Sequence, residues 1–218
     1  MRQAVIVASA RTPLAKSHRG SFNLTRPDDL AAHAIAAVLD QVPALDRAEV
    51  EEVILGCGQP HGAAGHNVAR VAALRAGLPV ATAGLTVNRY CNSGLQAIVC
   101  AAQSLAQGDT DVVIAGGAEQ MSQGAYLMTA GRWGIRMGDS QLKDCMLGVL
   151  HDPFEGIHMG MTAENVAARK MTTPPPQSNP HQMIGRSLPP RRRMGGGCRV
   201  AGASEARGSM GGRSFACG

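Results

Sequence analysis

The chain has 218 residues, 44% of them hydrophobic and 17% charged, enough apolar material for a packed core and too little charge for a solvated, disordered chain. Its length allows one domain, or one and a piece of a second. The net charge of +5 is uneven: residues 1–170 carry 14 Lys and Arg against 15 Asp and Glu, whereas residues 171–218 carry seven Arg and one Glu, so the body gives no reason to expect a nucleic-acid partner. No apolar run approaches the ~20 residues of a membrane span. Ala4-Val5-Ile6-Val7 is too short for a signal-peptide core, so a soluble, cytoplasmic protein with no membrane partner is expected.

In chain order, β and α segments alternate. Ala4–Ser9 reads as a short strand. Pro27-Asp28-Asp29 starts a helix, with acids at the positive end of its dipole and Leu30, Ala31, Ala34, Ile35, Val38 and Leu39 at helical spacing. Val53-Ile54-Leu55 reads as a buried strand closed by Gly56 and Gly58. Asn67–Ala76 reads as a helix ending at Gly77, and Leu85-Thr86-Val87 as a third strand. Ser93–Gln107 reads as a helix stopped by Gly108, and Asp111–Ala115 as a strand closed by Gly116-Gly117. Short apolar strands separated by helices predict an α/β fold with parallel pairing. The helix Ser93–Gln107 has no charged residue, which predicts protein on both of its sides, including a second sheet that this sequence does not encode.

From Ala118 to Lys170 the pattern loosens into a methionine- and glycine-rich excursion, closing on a helix predicted to start with Thr162 as its cap. Residues 171–218 contain nine Gly, six Pro and no helical or strand period. Three readings compete for them: a basic tail binding RNA or a membrane, an ordinary flexible terminus, and out-of-frame translation. The abrupt break in composition favours the third. The expected division is an α/β domain over 1–120, a partial loop domain over 121–170, and a disordered Gly/Pro/Arg-rich tail over 171–218.

The chemistry concentrates in Val87-Asn88-Arg89-Tyr90-Cys91-Asn92-Ser93-Gly94-Leu95-Gln96-Ala97-Ile98, where a strand ends, a cysteine occupies the turn and an apolar helix begins. Ser93 and Gln96 fit a capping box, which would place Cys91 before the helix N-terminus. Unpaired amides and the helix dipole at such a place favour a thiolate and can stabilise an oxyanion on an attached acyl group. A buried structural cysteine is the alternative. All six cysteines (Cys57, Cys91, Cys100, Cys145, Cys198 and Cys217) are expected as free thiols. Cys57, His61 and His66 lack a fourth partner for zinc, so no metal site is expected. Gly56-x-Gly58 and Gly62-x-x-Gly65 do not complete a phosphate loop.

The sequence resembles the N-terminal half of the thiolase family, the acetyl-CoA acetyltransferases and 3-ketoacyl-CoA thiolases. The matching runs are Ala10-Arg11-Thr12-Pro13, the Asn88–Ile98 block, Ala115-Gly116-Gly117-Ala118-Glu119-Gln120-Met121-Ser122 and His158-Met159-Gly160-Met161-Thr162-Ala163-Glu164, with order and spacing agreeing across residues 1–170. Asn92 departs from the small residue usual there. The resemblance implies an incomplete thiolase-like α/β fold and makes Cys91 the nucleophile of a two-step acyl transfer between CoA thioesters. It implies that His158 and Met159 line the pantetheine end of the pocket, that acyl-CoA or coenzyme A binds as substrate with no separate cofactor, and that homo-oligomers form. The family's base histidine, second cysteine and oxyanion-hole Asn and His lie in a C-terminal domain that this sequence does not match. Little or no turnover by this chain alone is therefore expected. The alternative is a non-catalytic remnant that associates with a full-length relative.

Overall fold

The computed structural model describes residues 2–16, 19–170 and 213–217. They fall into two compact units, one built on residues up to Ala125 together with the strand at 213–217, the other starting at Tyr126. The sequence reading put this boundary after residue 120.

In the first unit, β1 (Ile6–Ala10), α1 (Pro27–Asp40), β2 (Glu52–Gly56), α2 (Val68–Arg75), β3 (Ala83–Val87), α3 (Ser93–Gln107) and β4 (Val112–Gly117) follow one another. Local signals explain the helix ends. Pro27 opens α1 with Asp28 and Asp29 in its first turn. Asn67 caps α2 by accepting from the Arg70 N–H at 3.2 Å. Gly108, at φ +88°, ends α3 and donates its N–H to Ser104 and Leu105 carbonyls.

The sheet is parallel throughout. In the second unit, β5 (Tyr126–Leu127) pairs antiparallel with β6 (Lys143–Asp144), followed by α4 (Cys145–Leu150) and α5 (Met159–Lys170). The last strand, β7 (Arg213–Cys217), completes the main sheet in the order β1-β7-β4-β2-β3. The composition of residues 171–218 predicts no strand, and over 213–217 the structure differs. Without β7, β1 and β4 would each face a row of unpaired backbone groups, and five residues of extended chain satisfy both. That demand comes from the sheet, not from the side-chain pattern of the segment. The rest of the expected tail, 171–212 and 218, lies outside the described residues.

Side chains alternate across the sheet. Val53, Leu55, Val112 and Ile114 pack with α1 and α2, while Ile54, Val113 and Ala115 pack with α3. All three layers of an α/β/α sandwich are thus present, and the loops that follow β2, β3 and β4 leave from the same end of the parallel sheet. No helix among the described residues is long and apolar enough to cross a membrane.

Candidate active site

The carboxyl ends of β2, β3 and β4 meet the first turn of α3. In a parallel α/β sheet this is the end where ligands bind. The approach is unusually close. A Cβ on Gly56 would stand 2.3 Å from the Ser93 carbonyl carbon and 2.4 Å from the Gly94 nitrogen. A Cβ on Gly117 would be 3.1 Å from the Gly56 oxygen. Glycine at these strand ends lets α3 rest on the sheet with its N-terminus beside the turn that carries Cys91.

That turn runs from Tyr90 to Ser93, with Cys91 and Asn92 at its centre. The Ser93 N–H donates to the Tyr90 carbonyl at 3.0 Å. The Ser93 hydroxyl donates to the same carbonyl at 2.5 Å and accepts from the Arg89 N–H at 2.8 Å. The expected capping box is therefore not formed. Asn92 is the cap residue and makes no side-chain cap bond, and Ser93 is the first helical residue with its hydroxyl turned back to the loop. Gln96 accepts from Arg89 Nη1 at 2.5 Å instead of reaching the cap. With no side-chain cap, first-turn N–H groups of α3 are left without a side-chain acceptor.

Tyr90 has φ +49°, a left-handed backbone that residues other than glycine rarely adopt. Sequence reasoning missed it, because tyrosine carries no turn signal. Asn88, two residues earlier, was the available clue: its Oδ1 accepts from the Tyr90 N–H at 2.9 Å.

Cys91 is exposed, whereas Cys57 is buried and Cys100 and Cys145 are half-buried. Cys57 sits just beyond β2, its thiol 3.6 Å from Glu119 Oε1. Burial first, then the charge of Glu119, pushes the Cys57 thiol up to about 12, so it stays protonated and inert at neutral pH. The geometry thus separates a sequestered thiol from an accessible one within a single loop cluster. Gly94, on the first turn of α3, faces open space: a Cβ there would meet nothing within 4 Å.

His158 and Met159 belong to the second unit. The helix expected to follow a Thr162 cap begins at Met159 instead, with His158 in the cap position four residues earlier. Its Nδ1 accepts from the Gly160 N–H at 3.1 Å, and its carbonyl accepts from Met161 at 2.8 Å and Thr162 at 3.3 Å. An accepting Nδ1 leaves Nε2 as the protonated nitrogen of the neutral ring. The His151 ring stands edge-on to it, 5.5 Å away. Met159, the first residue of α5, is exposed.

His61 and His66 lie 6.2 Å apart, and among the described residues no three His, Cys, Asp or Glu side chains gather closely enough to hold a metal ion. A cleft bordered by Pro27, Gln59, His61, Gln120 and Gln123 lies in the first unit; Cys91 does not line it.

A family profile described as the thiolase N-terminal domain matches residues 4–174. The chain belongs to the thiolase family. It is 46% identical over 166 residues to the beta-ketothiolase BktB of Cupriavidus necator, covering 76% of this chain and 42% of that protein. It is 44% identical over 170 residues to an acetyl-CoA acetyltransferase of Pseudomonas aeruginosa, covering 78% and 42%. The fold is similar to the crystal structure of the Bacillus anthracis acetyl-CoA acetyltransferase, with a TM-score of 0.71 at 35% identity, over 79% of this chain and 43% of that one. This thiolase-family chain therefore spans less than half the length of the relatives it matches, over their N-terminal part, and carries the expected α/β thiolase fold.

Proposed function

We propose that the chain provides the nucleophilic half of a thiolase reaction. The Cys91 thiolate attacks the carbonyl of an acyl-CoA thioester. The new carbon–sulfur bond forms as the bond to the CoA sulfur breaks, leaving an acyl-cysteine and CoA, whose thiolate takes up a proton. The acyl group then passes to a second acceptor, either CoA in the degradative direction or the carbanion of acetyl-CoA in the biosynthetic one. First-turn amides of α3 are the donors for the oxyanion that develops during attack. CoA enters as substrate, with His158 and Met159 carried from the resemblance as residues for its pantetheine arm. The observation that supports this reading is the exposed thiol at the β3–α3 turn, beside an uncapped helix N-terminus, in a family whose relatives are acetyl-CoA acetyltransferases.

The activating base and the second cysteine belong, by the same resemblance, to a part of the family that this sequence does not match. Acyl uptake without efficient turnover is therefore the activity proposed for this polypeptide. Incubating the purified chain with acetyl-CoA and mapping it by mass spectrometry tests this. One acetyl group is expected on the peptide carrying Cys91 and none in Cys91→Ala. An unmodified Cys91 after prolonged incubation leaves the non-catalytic remnant as the better account. Thiolysis at rates typical of complete relatives would refute the proposed lack of turnover.

A further inference from the structure

The geometry points to Asn88 as the positioning residue that holds Tyr90 in its left-handed turn and thereby presents Cys91. This inference rests on the acyl-transfer reading of Cys91 and adds a residue to it. Asn88 follows β3 directly and bonds in two directions. Its Nδ2 donates to the Gly58 carbonyl at 3.0 Å, and its Oδ1 accepts from the Tyr90 N–H at 2.9 Å. Gly58 is itself fixed: its N–H donates to Glu119 Oε2 at 2.6 Å, and the Gln59 N–H donates to Glu119 Oε1 at 3.2 Å. A continuous chain of bonds thus runs from the end of β4, through the loop after β2, to the turn after β3.

Tyr90 is the residue this chain restrains. Tyr90 is 65% exposed, so burial of its side chain does not hold its backbone at φ +49°. Hydrogen bonds do: the Asn88 oxygen on its N–H, and Ser93 on its carbonyl. Without the Asn88 acceptor, the Tyr90 peptide is free to relax toward the commoner right-handed or extended regions. Cys91 is the next residue, so that relaxation swings the thiol away from the first turn of α3.

The test uses the full chain with Asn88→Ala, Asn88→Ser, and each of these combined with Tyr90→Gly. Glycine takes a positive φ without penalty, so it removes the need for the Asn88 clamp. In Asn88→Ala, acetyl transfer to Cys91 is expected to slow about fivefold, the shift in population that follows loss of one ordinary hydrogen bond. Asn88→Ser, whose hydroxyl can accept from the N–H two residues on, slows less. Adding Tyr90→Gly restores the rate in both backgrounds. Alkylation of Cys91 by iodoacetamide at fixed pH, resolved from other cysteines by peptide mapping, follows the same order and needs no thioester. Should Asn88→Ala fail to fold, the serine pair carries the same comparison. Failure of wild type to take up acetyl, with the alkylation order intact, would sink the acyl-transfer reading and spare the positioning role. An unchanged rate in Asn88→Ala, or no rescue by Tyr90→Gly, overturns the positioning role itself. A merely structural Asn88 would not be rescued by a backbone change at residue 90.

Discussion

Gly56→Ala is the sharpest perturbation of the contact that seats α3 on the sheet. The added methyl would lie 2.3–2.6 Å from three atoms of the Ser93–Gly94 backbone. Ordinary contact between carbon atoms is ~3.5–4.0 Å, so the first turn of α3 must retreat by roughly 1 Å. No side chain can rotate out of the way, because every obstructing atom is main chain. Overpacking of this kind costs ~1–3 kcal/mol, and a backbone obstacle places Gly56→Ala near 3. The displaced turn continues directly from the Tyr90–Ser93 turn that carries Cys91, and a misplacement of this size slows a positioned reaction by up to ~100-fold. Urea unfolding and the rate of Cys91 acetylation measure the two effects separately. Gly94→Ala is the control, since its methyl meets nothing and alanine is favoured over glycine in a helix by ~0.5–1 kcal/mol. It should leave stability equal or higher. If Gly56→Ala stays within ~0.5 kcal/mol of wild type and within about twofold in acetylation, the helix does not rest on the strand ends and the geometry given for the turn is wrong.

Two further outcomes follow from burial. On α3, Leu105 is 1% exposed and Leu95 is 58% exposed. Leu105→Ala should cost ~2–5 kcal/mol by urea unfolding, whereas Leu95→Ala should cost ~0.5 kcal/mol or less; the reverse order would contradict the assignment of the helix faces. The buried Cys57 thiol, raised from 9.0 to about 12, gives the fold a dependence on alkaline pH. The unfolded chain releases that proton at lower pH than the folded one, so stability should fall as pH rises above ~9 and toward 12. Unfolding midpoints from about pH 8 to about pH 11 should drop less in Cys57→Ala than in wild type, and parallel slopes would refute the assignment.

Elements whose signals are local were legible in the sequence. The helix Ser93–Gln107 was read residue for residue, because uninterrupted apolar spacing ended at a glycine that takes positive φ. The start of α5 was misplaced because histidine is not a usual cap, although the His158 ring nitrogen serves as one. The Ser93/Gln96 capping box failed because a nearer competitor, the Tyr90 carbonyl, captured the serine hydroxyl. The strand Arg213–Cys217 has its cause outside itself, in two strands with unpaired edges, and no pattern within five residues could announce it.

The turn at Cys91 shows why residue type alone locates an accessible thiol but does not explain its presentation. The sequence placed the cysteine before an uncharged helix and so found the thiol. The clamp is assembled from Glu119, Gly58 and Asn88, separated by 61 and 30 residues and joined only because β2, β3 and β4 run parallel and end together. Glu119 also explains why the neighbouring thiol is silent: the carboxylate that accepts from Gly58 and Gln59 lies against Cys57 and opposes its ionisation. One side chain thus anchors the loop supporting the accessible cysteine and suppresses the buried one, and only the parallel register of the sheet brings those two effects to the same place.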